Sequence, residues 1–559
     1  MVRSIGADGQ GNGREAALRV ERLVRRAARE GNRMIAGNRV LLRGVDPALE
    51  PLLRAVLGRM GARPFEERAG VRAAEAALEL GTSPDELPPL VVGQAPRERL
   101  RHATPAARIE WALAHMPATR ALAAELLKSG ALAEHRVLLS LVLEPKTAAL
   151  ALALREAGAR VAVFGAAAET DTGAAAELSA RDVAVFAPFA AVAGEDRDAL
   201  DREHALGALD WAPTLLIDDG AHLIRLAHTE RPGLLASEGG SLVAASEETT
   251  SGVRPLAEMA AEGALRIPVI AANDARTKTG FDNLVGTGQS CVLAIGDLLN
   301  SSELDAHVER MSGPGGDARH AGLAGRACTV IGYGPVGQGV ARFAAALGAR
   351  VTVVERDSVR ALAALHDGFE ARPLAAALGE QREHGDEAAL VISATGVWHT
   401  LDLAALALLA ERRPGAVLAV AGGIDDEIAL DELREAGWTR YEIAPAIDEW
   451  RPPTADPATL GLFVLAEGGG VNYTAAEGNP IEAMDLSFAT QLVALERLAA
   501  ADLAPGVHLL TAADEDRVAR AALAAQAAGA DPRPESCRAG GAAQAWRVHR
   551  YRDEARGKP

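Results

Sequence analysis

Cysteine is nearly absent: Cys291, Cys328 and Cys537 are the only three in 559 residues, far apart and never in a CxxC spacing. That excludes a disulfide framework or a cysteine-based zinc site and fits a reducing compartment. Aromatic residues are also scarce, at 3%, so a core has to be built from Ala, Leu and Val. No run of about 18 uncharged apolar residues occurs, which leaves no segment suited to span a bilayer. The opening stretch, residues 1–33, is Gly-rich and then Arg-rich, without the apolar centre of a secretory signal. The expectation is a cytoplasmic protein. Positive charge is in deficit as well, 58 Lys and Arg against 76 Asp and Glu for a net charge of −18, which argues against nucleic-acid or membrane-surface partners. The one basic stretch, Arg14 to Arg43, reads first as the solvated face of an amphipathic helix, with a patch for phosphate or an acidic partner as the alternative.

What is present is enough apolar sequence, 49%, for three or four domains at roughly 150 residues each. Residues 1–103 alternate Arg/Glu-rich helical patterns with turns such as Gly37-Asn38 and Ser83-Pro84-Asp85; they read as an extra helical N-terminal region of unknown role and carry no recognisable chemistry. From Arg108 the pattern changes. A helix through Trp111 and Leu126 leads to a strand, Arg136 to Leu143, then a helix, Thr147 to Ala157, and further strands at Arg160 to Phe164, Val183 to Phe186 and Thr214 to Ile217. A Gly-rich linker, Ser312 to Gly325, precedes a second set with strands at Ala327 to Ile331, Arg350 to Val354, Ala389 to Ser393 and Ala416 to Ala421. Strands alternating with helices predict an α/β fold of two doubly wound parallel-sheet domains. The expected division is 104–310, completed by about 470–500, then 311–469, then 501–559 as a C-terminal helix and a tail expected to be mobile from Asp531.

The strongest local signal is GYGPVGQG, residues 332–339, which follows a strand and opens a helix. In that setting Gly332 permits the tight turn, Gly334 lets a pyrophosphate approach the backbone, and Gly337 lets the helix pack on the sheet. The helix N-terminus then faces the phosphates. The next strand ends at Glu355, about 20 residues on, where a carboxylate can accept both ribose hydroxyls of NAD and would repel the phosphate of NADP. The adjacent Arg356 could in principle receive such a phosphate.

Five segments in order resemble one family, the S-adenosyl-L-homocysteine hydrolases: IDDG (217–220), SEETTSGV (246–253), NDARTKTGFDN (273–283), the glycine loop with Glu355, and Glu467 to Phe488. The resemblance spans about residues 105 to 500. It implies bound NAD and a nucleoside substrate whose ribose 3′-hydroxyl is transiently oxidised; the ketone acidifies the C4′ proton, a base removes it, the 5′ substituent is eliminated and water adds. By matching position it implies Lys278 and Asp282 at the ribose 3′ and 2′ hydroxyls, Asp219 and Glu248 as carboxylates lining the pocket, and Asn273 and Asn283 as orienting amides. The implied cofactor contacts are Gly332, Gly334, Val336, Gly337, Glu355, Thr249, Thr250, Ser251, Thr395 and Asn472, with no metal. Burial and the positive nicotinamide are expected to lower the pKa of Lys278 and make it a proton shuttle. A homo-oligomer is a further possibility.

The sequence also departs from the family. Val142, Gly423 and Asn479 stand where the family has His; Glu144, Lys146 and Glu477 replace residues on the adenine side; Thr287 replaces a cysteine; and Gln338 replaces the Lys of the glycine loop. The family's C-terminal tail, which reaches a neighbouring subunit's cofactor, has no match in Trp546 to Asp553. His222 and His399 are the candidates for replacement acid–base groups. A diverged 5′-substituted nucleoside therefore competes with S-adenosylhomocysteine as the substrate. A catalytically idle NAD-binding regulator and an NAD-dependent dehydrogenase are the alternatives from other classes.

Overall fold

The computed structural model describes residues 7–66, 78–80, 103–192, 196–312, 321–379, 389–422, 426–453, 459–475 and 477–526, with 456, 528 and 530. Two parallel sheets organise the chain. The first has seven parallel strands, in spatial order Gly506–His508, Pro268–Ala271, Ala244–Glu247, Leu215–Asp218, Arg136–Ser140, Arg160–Phe164 and Ala184–Phe186. The strands at its centre are buried along their length, as expected of a sheet covered on both faces by helices. The helix Ile481–Ala500 returns from beyond the second sheet and packs on this first domain, burying Phe488, Leu492 and Leu495 in the same core as Val137 and Leu139.

The second sheet has eight strands, in the order Glu370–Ala371, Arg350–Val354, Ala327–Ile331, Leu390–Ser393, Val417–Val420, Leu462–Leu465, Ile447–Arg451 and Thr439–Ala444. The first six run parallel and the last two form an antiparallel edge. In both sheets the strand order reverses about the first strand, so each has a switch-point crevice at its strand carboxyl ends, where ligands bind in open α/β sheets.

Between the sheets two helices meet at a glycine pair. A Cβ on Gly339 of the helix Pro335–Ala346 would lie 1.8 Å from the Leu284 carbonyl oxygen, and one on Gly288 of the helix Thr287–Leu298 would lie 2.6 Å from the Gly339 backbone. Only glycine at both positions permits this approach, which holds the cofactor helix against the segment carrying Lys278.

The N-terminal region is not purely helical. The helices Ala7–Glu30 and Glu50–Arg59 form as expected, but a three-stranded parallel sheet, Arg63–Phe65, Arg39–Leu42 and Leu78–Leu80, accompanies them. Strands of three or four residues carry too little alternation to separate from turns by pattern. Val20, Val24, Ala28 and Ile35 are buried in one core with Leu293 and Val340, so this region packs on the same core as the second domain. The solvated reading of Arg14 to Arg43 also needs correction: Arg25 is 4% exposed and Arg33 9%. The tail from Asp531, the residues Trp546 to Asp553 and Gly423 lie outside the described residues.

Candidate active site

At the carboxyl ends of the first sheet, Asp219 follows Leu215–Asp218, Glu248 follows Ala244–Glu247 and Asn273 follows Pro268–Ala271. Behind Asp219 and Glu248 stand two buried carboxylates that sequence reading passed over. Glu247 accepts from the backbone N–H groups of Gly220, Ala221 and Thr249 and from the Thr249 hydroxyl. Asp218 accepts from Ile224 N–H at the start of the next helix. Burial pushes Asp218 up to about 7, with Asp219 adding to the shift, and raises Glu247 well above the usual carboxylate range, with Asp218 and Asp219 adding to it. Strand-end residues of this kind look like ordinary loop polars until the sheet brings the strand ends side by side.

Lys278 ends the short helical turn Arg276–Lys278, and Asp282, four residues on, lies in the π-helical turn Thr279–Gly286 that follows, a distortion common at functional sites. Lys278 Nζ donates to Asn283 Oδ1 at 2.7 Å, stands 2.9 Å from Asp282 Oδ2 and 3.6 Å from Glu248. Asn283 Nδ2 donates to Asn273 Oδ1 at 2.9 Å, which also accepts from the Thr250 hydroxyl. Glu248 accepts in addition from Ser487 and Gln491 of the returning helix. The expected lowering of the Lys278 pKa is wrong for this resting state. Burial alone would lower it, but the carboxylates of Asp282, Glu248 and Asp219 outweigh burial and raise it. Asp219 and Glu248 are raised in turn, by burial first, with Lys278 opposing.

Asn479 is a hub. Its Nδ2 donates to Asp282 Oδ1 at 2.6 Å and to the Thr287 hydroxyl at 2.9 Å, while its Oδ1 accepts from Ser290 at 2.8 Å and Asn472 Nδ2 at 3.3 Å. Asn472 and Lys278, on opposite sequence sides of the glycine loop, are thereby joined through Asn479 and Asp282. The turn leading to Asn472 is unusual: Ala466, Glu467 and Gly468 all have φ between 54° and 86°, which turns the chain back toward the first domain.

In the second sheet the glycine loop has the shape a dinucleotide needs. Gly332 has φ +93°, a Cβ on Gly337 would lie 1.9 Å from the Gly332 carbonyl oxygen, and the nearest atom to a Cβ on Gly334 is Arg360 Nη1 at 3.7 Å, leaving room above the helix N-terminus. Glu355 accepts from Tyr333 N–H at 2.6 Å, which places its carboxylate beside the loop. Thr395 is bound by Glu427, fully buried, which also accepts from Gly396 N–H. Across the cleft Thr249, Thr250 and Ser251 open the helix Thr250–Ala261, and Arg254 donates to the Gly396 carbonyl at 3.1 Å. Asn472 is fully buried and its Oδ1 has no protein partner, which fits an acceptor for the carboxamide end of a nicotinamide cofactor. Gln338 donates back to the Tyr333 carbonyl at 3.2 Å and so braces its own loop.

The comparisons with known proteins agree with this architecture. Residues 317–478 match the NAD-binding domain of S-adenosyl-L-homocysteine hydrolase. An adenosylhomocysteinase of Thermotoga maritima is 35% identical over 419 residues, 74% of this chain and 93% of the relative. The chain belongs to the adenosylhomocysteinase family. Other members of similar likeness are an S-inosyl-L-homocysteine hydrolase of Methanopyrus kandleri, 36% identical over 74% of this chain and 89% of its own, and an adenosylhomocysteinase of Thermococcus kodakarensis, 36% identical over 75% and 90%. As a member of this family the protein is an NAD-dependent enzyme.

Of the two candidate histidines, His399 is paired with carboxylates. Its Nδ1 lies 2.8 Å from Glu432 and its Nε2 3.0 Å from Asp431, and its ring stacks on Trp398. His222 is exposed, with its imidazole folded over Gly220 beside Asp219. Asn32, from the region read as free of chemistry, reaches the segment after Asn472, where Nδ2 donates to the Glu477 carbonyl at 3.0 Å. That contact joins residues 445 apart and has no local sequence signal. Among the described residues no helix is long and apolar enough to cross a membrane.

Proposed function

We propose that the chain removes the 5′ substituent of a nucleoside by transient 3′-oxidation, C4′ proton abstraction and elimination followed by hydration. In this reading 104–310 with 470–500 binds the nucleoside and 311–469 binds NAD. The observation that carries it is the buried cluster of Lys278, Asp282, Glu248, Asp219, Asn273 and Asn283 facing the cofactor segment through Asn479 and Asn472. Bound NAD supplies a hydride acceptor, and later donor, at the ribose C3′.

The chain's own residues bind, orient and move protons. Asp282, fixed by Asn479, accepts from the ribose 2′-hydroxyl. Lys278 rests as an ammonium and positions the 3′-hydroxyl; it becomes a base only after handing a proton to Glu248 or Asp219, whose raised pKa values suit them to take one. Asn283 and Asn273 hold the ammonium along one line. His222 and Tyr473, whose ring packs against Gly478 and Gly470, are the groups on the cleft wall that can protonate the leaving group.

At the base end Lys146 is 3% exposed; it is bound to Glu144 and donates to the Glu477 carbonyl at 2.9 Å. Burial pushes Glu144 up to about 7, with Lys146 opposing. An ammonium donor beside a carboxyl acceptor complements the carbonyl and ring N–H of a 6-oxopurine better than the amino group and bare ring nitrogen of adenine. We therefore take a hypoxanthine nucleoside such as S-inosyl-L-homocysteine as the substrate. The test is homocysteine release from S-inosyl- and S-adenosyl-L-homocysteine by the NAD-loaded enzyme. A kcat/KM at least about ten-fold higher for the inosyl compound, one mismatched polar contact's worth, is expected; the reverse order overturns the base assignment, and release from neither overturns the leaving group.

A further inference from the structure

The chain carries an excess of acid, yet five arginines of the N-terminal segment, Arg22, Arg25, Arg26, Arg29 and Arg33, line one cavity of about 620 Å³. The spacing of the first four places them on one helical face, and the cavity lies between that face and the helix Thr287–Leu298, with Glu477, Gly478 and Pro480 at one side. Carboxylates face several of them. Asp297 is shared by Arg25 and Arg29, Glu482 takes Arg33 Nε at 2.6 Å, Glu21 lies 3.3 Å from Arg25 Nε, and Glu477 is turned to Arg108 at 3.4 Å. Two groups at least nine-tenths buried retain unmatched polar atoms: Arg33 Nη1 is a donor without an acceptor and Asn32 Oδ1 an acceptor without a donor.

We infer that this cavity is a binding site for a phosphate-bearing small molecule of about nucleotide size. An arginine-lined volume far larger than one water's share of about 30 Å³, with a guanidinium donor buried and unmatched at its wall, calls for an anion with several acceptor oxygens. Guanidinium forks fit phosphate better than a single carboxylate. Asn32 Oδ1 adds a contact for a hydroxyl or amine on the same ligand. The site is separate from the glycine loop and stands whether or not the base assignment above does. It is also one side chain from the chemistry: Ser290 and Gly478 line it, and Ser290 donates to Asn479, which holds Asp282. The phosphate belongs either to a separate effector or to a substituent of the substrate that extends past Glu477, and the two are distinguished by competition.

The test is calorimetric titration of the NAD-loaded, full-length protein with inorganic pyrophosphate, tripolyphosphate and adenosine 5′-diphosphate, with adenosine as the uncharged control. Saturable one-to-one binding of the phosphates that weakens with added salt is expected, along with an about ten-fold or greater loss in Arg33→Gln, the size of one charge-assisted hydrogen bond. Because Arg33 also holds Glu482, the double variant Arg22→Gln/Arg26→Gln at exposed positions serves as the second probe, with circular dichroism checking the fold. Pyrophosphate binding that excludes nucleoside assigns the phosphate to the substrate; binding that leaves nucleoside affinity competitive-free assigns it to an effector, and either supports the site. No saturable binding at millimolar phosphate, or binding unchanged in both variants, overturns it.

Discussion

Around Lys278 an amide oxygen and three carboxylates surround one buried ammonium, and the local field favours the proton it carries. Replacing it by Met removes the only cation of that cluster while leaving the glycine loop, Glu355 and Thr395 untouched. Lys278→Met is expected to retain bound NAD and to lose NADH formation with nucleoside by at least about 10²-fold, the lower end for a general acid–base group; NAD stoichiometry and NADH absorbance check both. Asn479 works indirectly through Asp282. Asn479→Ala leaves one Asp282 oxygen and Thr287 without their donor, a loss of about 1–3 kcal/mol in a buried setting, and should lower turnover about ten-fold while Asn479→Asp, which brings a second carboxylate beside Asp282, is worse; steady-state rates check the order. At this scale the sequence was most legible where one short segment holds the chemistry, as in residues 273–283. It was least legible where residues act across the fold: Asn32 meets Glu477, and Glu248 meets Ser487 and Gln491, over hundreds of residues. The sign of the Lys278 shift was misjudged because it depends on how many carboxylates surround it, which spacing does not give.

Among the elements, the paired helices Thr287–Leu298 and Pro335–Ala346 couple the two domains through Gly288 and Gly339. Gly339→Ala forces a Cβ to within 1.8 Å of the Leu284 carbonyl oxygen. The helices have to separate, and a loss of about 1–3 kcal/mol from overpacking is expected, read as a lower thermal midpoint together with weaker NAD retention. Helix starts give a second expectation. Asp485 accepts from the N–H groups of Ala118 and Thr119 at the start of Pro117–Ser129, and burial raises it to about 6; Asp218 does the same for His222–Glu230 and is raised to about 7. In the unfolded chain such carboxyls titrate near about 4. Between about pH 4 and pH 7 the folded state therefore holds more protons than the unfolded state, and stability falls as pH rises. The thermal midpoint should be higher near the lower end of that window than above it; a midpoint that climbs steadily through the window contradicts these shifts. In the two large sheets Ala244–Glu247, Pro268–Ala271, Gly506–His508, Glu370–Ala371, Thr439–Ala444, Ile447–Arg451 and Leu462–Leu465 went unread, whereas the other four strands of each sheet were legible as apolar runs set between helical patterns. The short strands at Arg39–Leu42 and Arg63–Phe65 were not, since three or four residues hold no period.

On the scale of the whole molecule, the returning chain at Asn472 joins the two sheets, so that Asn472, Asn479, Asp282 and Lys278 form one chain of polar contacts between them. The N-terminal segment belongs to the same core, with Val20, Val24 and Ala28 buried against the second domain, and its Asn32 donates to the Glu477 carbonyl. The two-sheet plan was legible from the alternation of elements; the docking of residues 7–66 was not, because its partner surfaces come from segments hundreds of residues away. The central claim is that this shared site oxidises a ribose and loosens its C4′ proton. The direct measurement is to add a 5′-substituted inosine nucleoside to the NAD-loaded protein in deuterated buffer, following NADH absorbance and deuterium at C4′ together. The account predicts a rise in NADH accompanied by C4′ exchange, both absent in Lys278→Met; NAD that stays oxidised, with no exchange at C4′ while the nucleoside is bound, would contradict it.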